Sequence, residues 1–275
     1  MPYKHAGEYG DVLKHLPLCD VLANEKPLRY HETNSAYSGY EITENPNTEY
    51  GILGILDKLD DCDYLRVQKE NGIDNLHYTG SPGLAIGVLQ SNAIYYFHDI
   101  EREALEDIAR FSEIRGLERH VNAYCGDSIQ AFLCDDHVLD EDDFVHVDPY
   151  TLFDNNELGN SFFDVFEKAV ASKAKTMLWY GYGSLYDQNL IWEHLEYLAD
   201  KHQKGISSFD IWQKCMTNEG YRLNPGVPGC GIAFANLSSD SIDVVKKHWE
   251  FLCGYYAEAR YHGEHAPMIG ETHSW

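Results

Sequence analysis

Phe144-Val-His-Val-Asp-Pro-Tyr150 sets how the rest of the chain is read. A short apolar run that stops at a carboxylate, with proline next, reads as a buried strand closing in a stiff turn. A charged residue beside apolar neighbours at a strand end is rarely there for packing. Asp148 is therefore the first candidate functional residue. The same rhythm continues on both sides. Upstream, Ala93–His98 reads as a strand, Arg102–Phe111 as a helix, His120–Tyr124 as a strand, and a helix starts at Ser128. Downstream come a helix over Phe162–Ala171, the strand Thr176–Tyr180 and a helix over Leu190–Lys201. Strands at Ser208–Gln213 and Gly231–Asn236 follow, then a last helix from near Ser241. Strands alternating with helices predict an α/β fold with a mostly parallel sheet.

The 275 residues suit one large domain, with 44% hydrophobic content. No apolar run approaches the roughly 18 residues of a membrane helix, and the first fifteen residues lack a signal-peptide core. A cytoplasmic protein without a membrane partner is expected. Seven scattered cysteines with no C-x-x-C pair predict free thiols that are buried or inert. The tail Tyr261-His-Gly-Glu-His265 with His273 lacks zinc-helix spacing. No metal is expected, and the tail is read as packed or disordered. The net charge of −24, concentrated at Asp57–Asp63 and Asp135–Asp143, opposes binding to a phosphate backbone. Lys4, Lys14 and Arg29 make the N-terminal part the least acidic, and so the expected entry for a substrate.

Ligands of such sheets bind beyond the carboxyl ends of the strands. Asp99, Asp127, Asp148 and Tyr180 sit at four successive strand ends. Asp99 suits ribose hydroxyls and Asp127 an adenine amine, although either could be a helix N-cap instead. Those are the needs of S-adenosyl-L-methionine. Asp148, Pro149 and Tyr150 supply an acceptor for amine hydrogens, a stiff turn and a stacking face, which methylation of an exocyclic amine requires. The expected fold is a Rossmann-like class I S-adenosylmethionine-dependent methyltransferase fold. Its sheet is seven-stranded and mostly parallel, with one antiparallel strand in the last pair. It forms a single domain over residues 1–275 with a helical insertion at about residues 41–80.

His5-Ala-Gly-Glu-Tyr-Gly-Asp-Val-Leu-Lys-His15 resembles the N-terminal signature of the ribosomal RNA large-subunit methyltransferase J family, whose members modify one adenine of 23S RNA at N6. Eight of eleven positions match its H-A-G, three variable residues, D-V-L-K-H. Tyr78-Thr-Gly-Ser-Pro82 is similar to the family's Y-x-G-S-P element and Leu178-Trp-Tyr180 to its W-Y-P strand, with Gly181 in place of proline. Gly229-Cys-Gly231 with Asn236 is similar to its late G-S-G strand. The resemblance implies that Lys14 and His15 lie near the donor and the target base, with Lys14 and His5 or His15 steering the acceptor. Tyr3-Lys4-His5 runs directly into Ala6-Gly7, so His5 stands for one of two family histidines. The resemblance further implies a catalytic Asp148. Donor-binding residues would be His15, Glu32, Asn34, Ser38, Ser81, Asp99, Asp127 and Asp148.

The chain departs from that pattern at two motifs. Glu32-Thr-Asn-Ser-Ala-Tyr-Ser-Gly39 stands for an acidic residue followed by T-H-A-G-A-G. Ala36 and Ser38 in place of glycines crowd the approach of a ligand to the backbone. Asp148-Pro-Tyr-Thr151 stands for D-P-P-Y. The leading expectation is methyl transfer to an exocyclic amine, of adenine in RNA or another nucleic acid. The alternatives are a small-molecule, nucleotide or protein acceptor, and a non-catalytic partner protein on the same fold.

Overall fold

The computed structural model describes residues 5–134, 136, 138–214 and 227–275. Tyr3, Lys4 and Cys215 lie outside them. The order of elements is α1 (Tyr9–Glu25), β1 (Arg29–Glu32), β2 (Gly39–Glu41), α2 (Pro46–Tyr50), α3 (Ile52–Ile55), α4 (Asp63–Glu70), β3 (His77–Thr79), α5 (Ser81–Leu89), β4 (Ile94–Asp99) and α6 (Arg102–Ile114). There follow β5 (Val121–Cys125), α7 (Ser128–Leu133), β6 (Asp143–Val147), α8 (Phe162–Ala171), β7 (Lys175–Tyr182), α9 (Leu185–His202), β8 (Ile206–Gln213), β9 (Gly229–Ala235), α10 (Ser239–Ala257), β10 (Arg260–Tyr261), β11 (Glu264–His265) and β12 (Met268–Ser274).

Among the described residues the main sheet has eight strands, in the order β12-β8-β9-β7-β6-β1-β4-β5. β1 pairs in parallel with both β4 and β6, β4 with β5, and β6 with β7. β9 runs antiparallel between β7 and β8. This is a Rossmann-like α/β sheet. The expected seven strands become eight because the tail forms β12, antiparallel to β8 from Met268↔Gln213 to Ser274↔Ser207. No helix among the described residues is long and apolar enough to cross a membrane.

The central strands are buried on both faces. All five residues of β6 are inside, and so are all seven of β9. Alternate side chains feed two cores. Phe144, Met177 and Phe234 pack under α1, α5 and α10, while Val145, Val147 and Leu178 pack under α8 and α9. α8 turns Phe163, Phe166, Ala169 and Val170 inward at helical spacing, and a reciprocal Ser161–Asp164 capping box sets its start. Between β1 and α5, the short antiparallel pair β2–β3 closes a loop that carries α2, α3 and α4. Gly7 meets this segment closely: its φ is +79°, and a Cβ there would come within 2.8 Å of the Ile52 side chain. Only glycine takes that place without strain.

Candidate active site

The chain builds outward from β1 to β4 and β5, then crosses back to β6. The switch point lies between β1 and β6, and the crevice beyond their carboxyl ends is where such sheets bind ligands. Asp148 stands there. α1 packs on one face of the sheet, and its first turns reach this end and deliver Lys14, whose ammonium donates to Asp148 Oδ2 at 2.7 Å. Asp11, one turn before Lys14, takes the same ammonium at 3.2 Å. It also accepts the Gly7 N–H at 2.8 Å, so the helix start and the lysine are held together. Lys14 Nζ sits 5.2 Å from the centre of the Trp179 ring. Burial pushes the Asp11 carboxyl up, and Lys14 pulls it back.

A second buried group lies beneath. Glu32 ends β1 with no exposure. It accepts from the Tyr30 hydroxyl at 3.2 Å and faces His146 Nδ1 at 3.2 Å. Burial raises its carboxyl above the usual range, while bonds to His146 and Ser81 act in the opposite sense. Ser81 opens α5 and so joins this group. Ligand atoms of Glu32, His146 and Asp148 lie within 4.8 Å of one another, a spacing a metal could use. The Lys14 ammonium already holds Asp148, so a cation of the chain's own is in place. His15 faces the core: its Nδ1 meets the Tyr78 hydroxyl at 2.6 Å. Burial, then the Lys14 charge, lowers its pKa well below the ordinary value, which keeps the ring neutral.

The loop after β1 is pinned on both sides. Thr33 N–H donates to the His146 carbonyl, and Ser35 N–H to the His98 carbonyl. Ala36 takes a left-handed φ of 51° and donates its N–H to Asp99 Oδ2 at 2.8 Å. Asp99 Oδ1 accepts from Glu101 N–H, also at 2.8 Å. Each carboxylate oxygen keeps a free lone pair. Ser38 gives both its N–H and its hydroxyl to Asp107, at 3.0 and 2.6 Å, so its role here is to fasten the loop to α6. Asn34 accepts from the Thr33 hydroxyl.

Beyond Asp99 an open groove of about 340 Å³ runs along the end of β5, lined by His98, Tyr124, Cys125, Asp127, Gln130 and Cys134. Tyr124 stacks on His98, with ring centres 5.1 Å apart. Asp127 caps α7 through Gln130 N–H, and its other oxygen accepts from Asn156 of the loop after β6 at 2.8 Å. If Asp99 holds donor hydroxyls, Asp99→Asn weakens S-adenosylhomocysteine by roughly tenfold to a hundredfold, the worth of one charge-assisted hydrogen bond. Unchanged affinity by calorimetry would reduce Asp99 to a fastener for Ala36 and Glu101.

Several sequence expectations need correction. Tyr180 does not end its strand. β7 runs on to Tyr182, and the buried Tyr180 hydroxyl donates to Asp210 Oδ2 at 2.8 Å under α9. Arg29 lies at the opposite end of the sheet, bonded to Asp143 at 2.6 Å, and Lys14 is neutralised by two carboxylates. No basic entry patch forms from these two. Cys125 and Cys134 are exposed, so burial, one half of the expectation that the thiols are buried or inert, does not hold for these two. Pro149 is buried, while Tyr150 projects at 94% exposure, with its ring on the rim. His5 is exposed and bonds Glu8 at 3.0 Å. Asp11, Tyr30, His146 and Trp179 escaped the sequence reading. Two of them left a signal: Asp11 lies i,i+3 from Lys14, and His146 shares a strand face with Asp148.

No protein-family model matches the sequence, and no curated protein matches it. Among solved structures the chain is similar to a DUF519 protein from Legionella pneumophila str. Philadelphia 1, with 20% identity and a TM-score of 0.72 over 98% of each chain. It is also similar to a SAM-dependent methyltransferase from Agrobacterium tumefaciens, at 11% identity and TM-score 0.44, covering 80% of this chain and 61% of that one. A third is a precorrin-6y C5,15-methyltransferase from Geobacter metallireducens GS-15, at 12% identity and TM-score 0.39, covering 80% and 88%. The first likeness speaks for the fold. The other two overlap too loosely to carry weight.

Proposed function

We propose that this chain is an S-adenosylmethionine-dependent methyltransferase acting on an exocyclic amine, with adenine in RNA as the acceptor that the N-terminal resemblance implies. The observation that carries this is the meeting of Lys14 with Asp148 at 2.7 Å, across 134 residues of sequence, at the switch point of the sheet. It joins the motif that resembles the adenine methyltransferases to the strand-end carboxylate. Charge favours the donor over a dinucleotide. Asp11, Asp99, Asp127 and Asp148 line or adjoin the crevice, and a diphosphate would meet carboxylates where it needs cations and amides. The sulfonium and ammonium of S-adenosylmethionine suit that field. Bound there, the donor would supply an activated methyl group. The chain's own part is to hold the acceptor. Asp148 accepts the amine hydrogens, Lys14 fixes that carboxylate, and Tyr150 offers a face on the rim for the base.

A second reading, a small or cationic acceptor, is favoured by the rim itself. Glu101, Glu103, Asp127 and Glu157 are exposed around it. Titration calorimetry tests the common part: binding of S-adenosylmethionine or its demethylated product is expected, and no binding of either at millimolar ligand would sink both readings. Labelled-methyl transfer into fractions of total RNA, DNA, protein and small molecules then separates them. Label in RNA adenine is expected. Label confined to the small-molecule fraction would replace the acceptor by the second reading, and binding without transfer to any fraction would leave a non-catalytic partner.

A further inference from the structure

The described thiols divide sharply. Cys19 and Cys230 are fully buried, and burial pushes both thiols up in pKa. Cys62 and Cys253 are half-buried, and burial pushes them up to about 11 and about 12. All four are thus poor nucleophiles near neutrality, because the thiolate is the reacting form. Cys125 and Cys134 are the two exposed thiols among the described residues, and both line the groove beside Asp99 and Asp127. Their position follows from the fold. Cys125 is the last residue of β5 and lies in register with Asp99 of β4. Cys134 follows the last turn of α7, whose N-cap is Asp127. Six residues of helix lie between them, and both residues line the one groove, with Cys125 Sγ near the Ile100 carbonyl at 3.5 Å and Cys134 Sγ near the Ala131 carbonyl at 3.1 Å.

We propose that Cys125 and Cys134 form a site of covalent modification by small electrophiles, and that their modification closes the groove to the methyl donor. The proposal rests on the donor reading above. With iodoacetamide the thiolate sulfur attacks the methylene carbon, a C–S bond forms, the C–I bond breaks and iodide leaves, while the thiol proton goes to buffer. With hydrogen peroxide as the electrophile the S–O bond forms as the O–O bond breaks. Sulfur is oxidised by two electrons to the sulfenic acid, and the peroxide is reduced to water. Either adduct places new polar atoms between Tyr124, Asp127 and Gln130. An adenine could then neither lie against Tyr124 nor reach Asp127. The reaction gives the site a redox-sensitive occupancy without a change in fold.

The test uses iodoacetamide on the full chain, peptide mapping by mass spectrometry, and S-adenosylhomocysteine as the probe ligand. Calorimetry on untreated protein comes first. Absence of binding there overturns the donor reading, and this proposal with it. With binding established, Cys125 and Cys134 are expected to alkylate before Cys19, Cys62, Cys230 and Cys253. S-adenosylhomocysteine at 100-fold above its Kd is expected to slow their labelling by up to roughly 100-fold, the fraction of time the groove is open. Treated protein is expected to bind S-adenosylhomocysteine at least about tenfold more weakly, a loss of about 1.4 kcal/mol. In the double variant C125S/C134S, treatment is expected to leave the affinity at its starting value, whatever that is. Unprotected labelling at both positions, or full affinity after both are alkylated, overturns the proposal and leaves the donor reading standing. So does an equal loss of affinity in the treated double variant.

Discussion

Asp148→Asn is expected to lower methyl transfer by roughly 10³-fold, about 4 kcal/mol of transition-state stabilisation, while S-adenosylhomocysteine affinity stays within a few-fold. Asparagine is the informative replacement because its carbonyl can still accept from Lys14, now at 2.7 Å from Asp148 Oδ2. Alanine would strand a buried ammonium on Asp11 alone and confound chemistry with folding, since breaking a buried ion pair costs about 3–5 kcal/mol. The amide retains an acceptor oxygen but loses the charge that grows in value as the acceptor nitrogen becomes positive. A fall in kcat with little change in donor affinity assigns Asp148 to the acceptor. Loss of donor binding in a folded Asp148→Asn protein would show instead that the carboxylate serves the donor.

The second large effect concerns stability. Asp210 is buried under α9, where it accepts from the Tyr180 hydroxyl at 2.8 Å and from Trp192 Nε1 at 3.3 Å. Burial outweighs these bonds and raises its pKa from 3.8 to about 7. The native chain therefore keeps a proton that the unfolded chain releases near pH 4. Between about pH 4 and 7 the native state binds more protons, so stability falls as pH rises and levels off above 7. The ceiling is about 4 kcal/mol, from some three units at 1.36 kcal/mol each. Asp210→Asn keeps an acceptor for Tyr180 and Trp192 and cannot ionise. Urea unfolding at pH 5.5, 7 and 8.5 should show the variant gaining on the parent as pH rises. Parallel pH profiles would mean that Asp210 is ionised in the fold at no cost.

Much of the sheet is legible because buried parallel strands are written as apolar runs. Phe144–Val147 and Ala93–His98 could be little else, and the helix over Phe162–Ala171 coincides with α8. What hid from the sequence has physical causes. Met268-Ile-Gly-Glu-Thr-His-Ser274 is half polar and holds a glycine, as an edge strand can afford to, so it lacks the apolar signature. β2 and β3 are three residues each, too short for any period. The apolar run of β7 thins at Gly181, yet Tyr180 and Tyr182 both continue the inward alternation of the strand. α9 starts at Leu185, before Leu190, and the Ser184 cap with Asp187 in the first turn was the sign. In the site, strand ends identified carboxylates one at a time. Trp179 beside Lys14 emerges only when α1 is laid over the sheet, and Tyr30 and His146 around Glu32 only when β1 is paired with β6.

The added strand β12 also bears on how the molecule behaves in company. β8 is almost wholly buried along its length, with Phe209, Ile211 and Trp212 inside. Left as the border of the sheet, it would present unpaired amides and carbonyls beside apolar side chains, a template for a strand from another molecule. β12 covers it with seven paired positions and offers Glu271, His273 and Ser274 at the new border. The sheet thus ends in a strand that other chains have little reason to extend, and the sociability of β8 is spent inside its own fold.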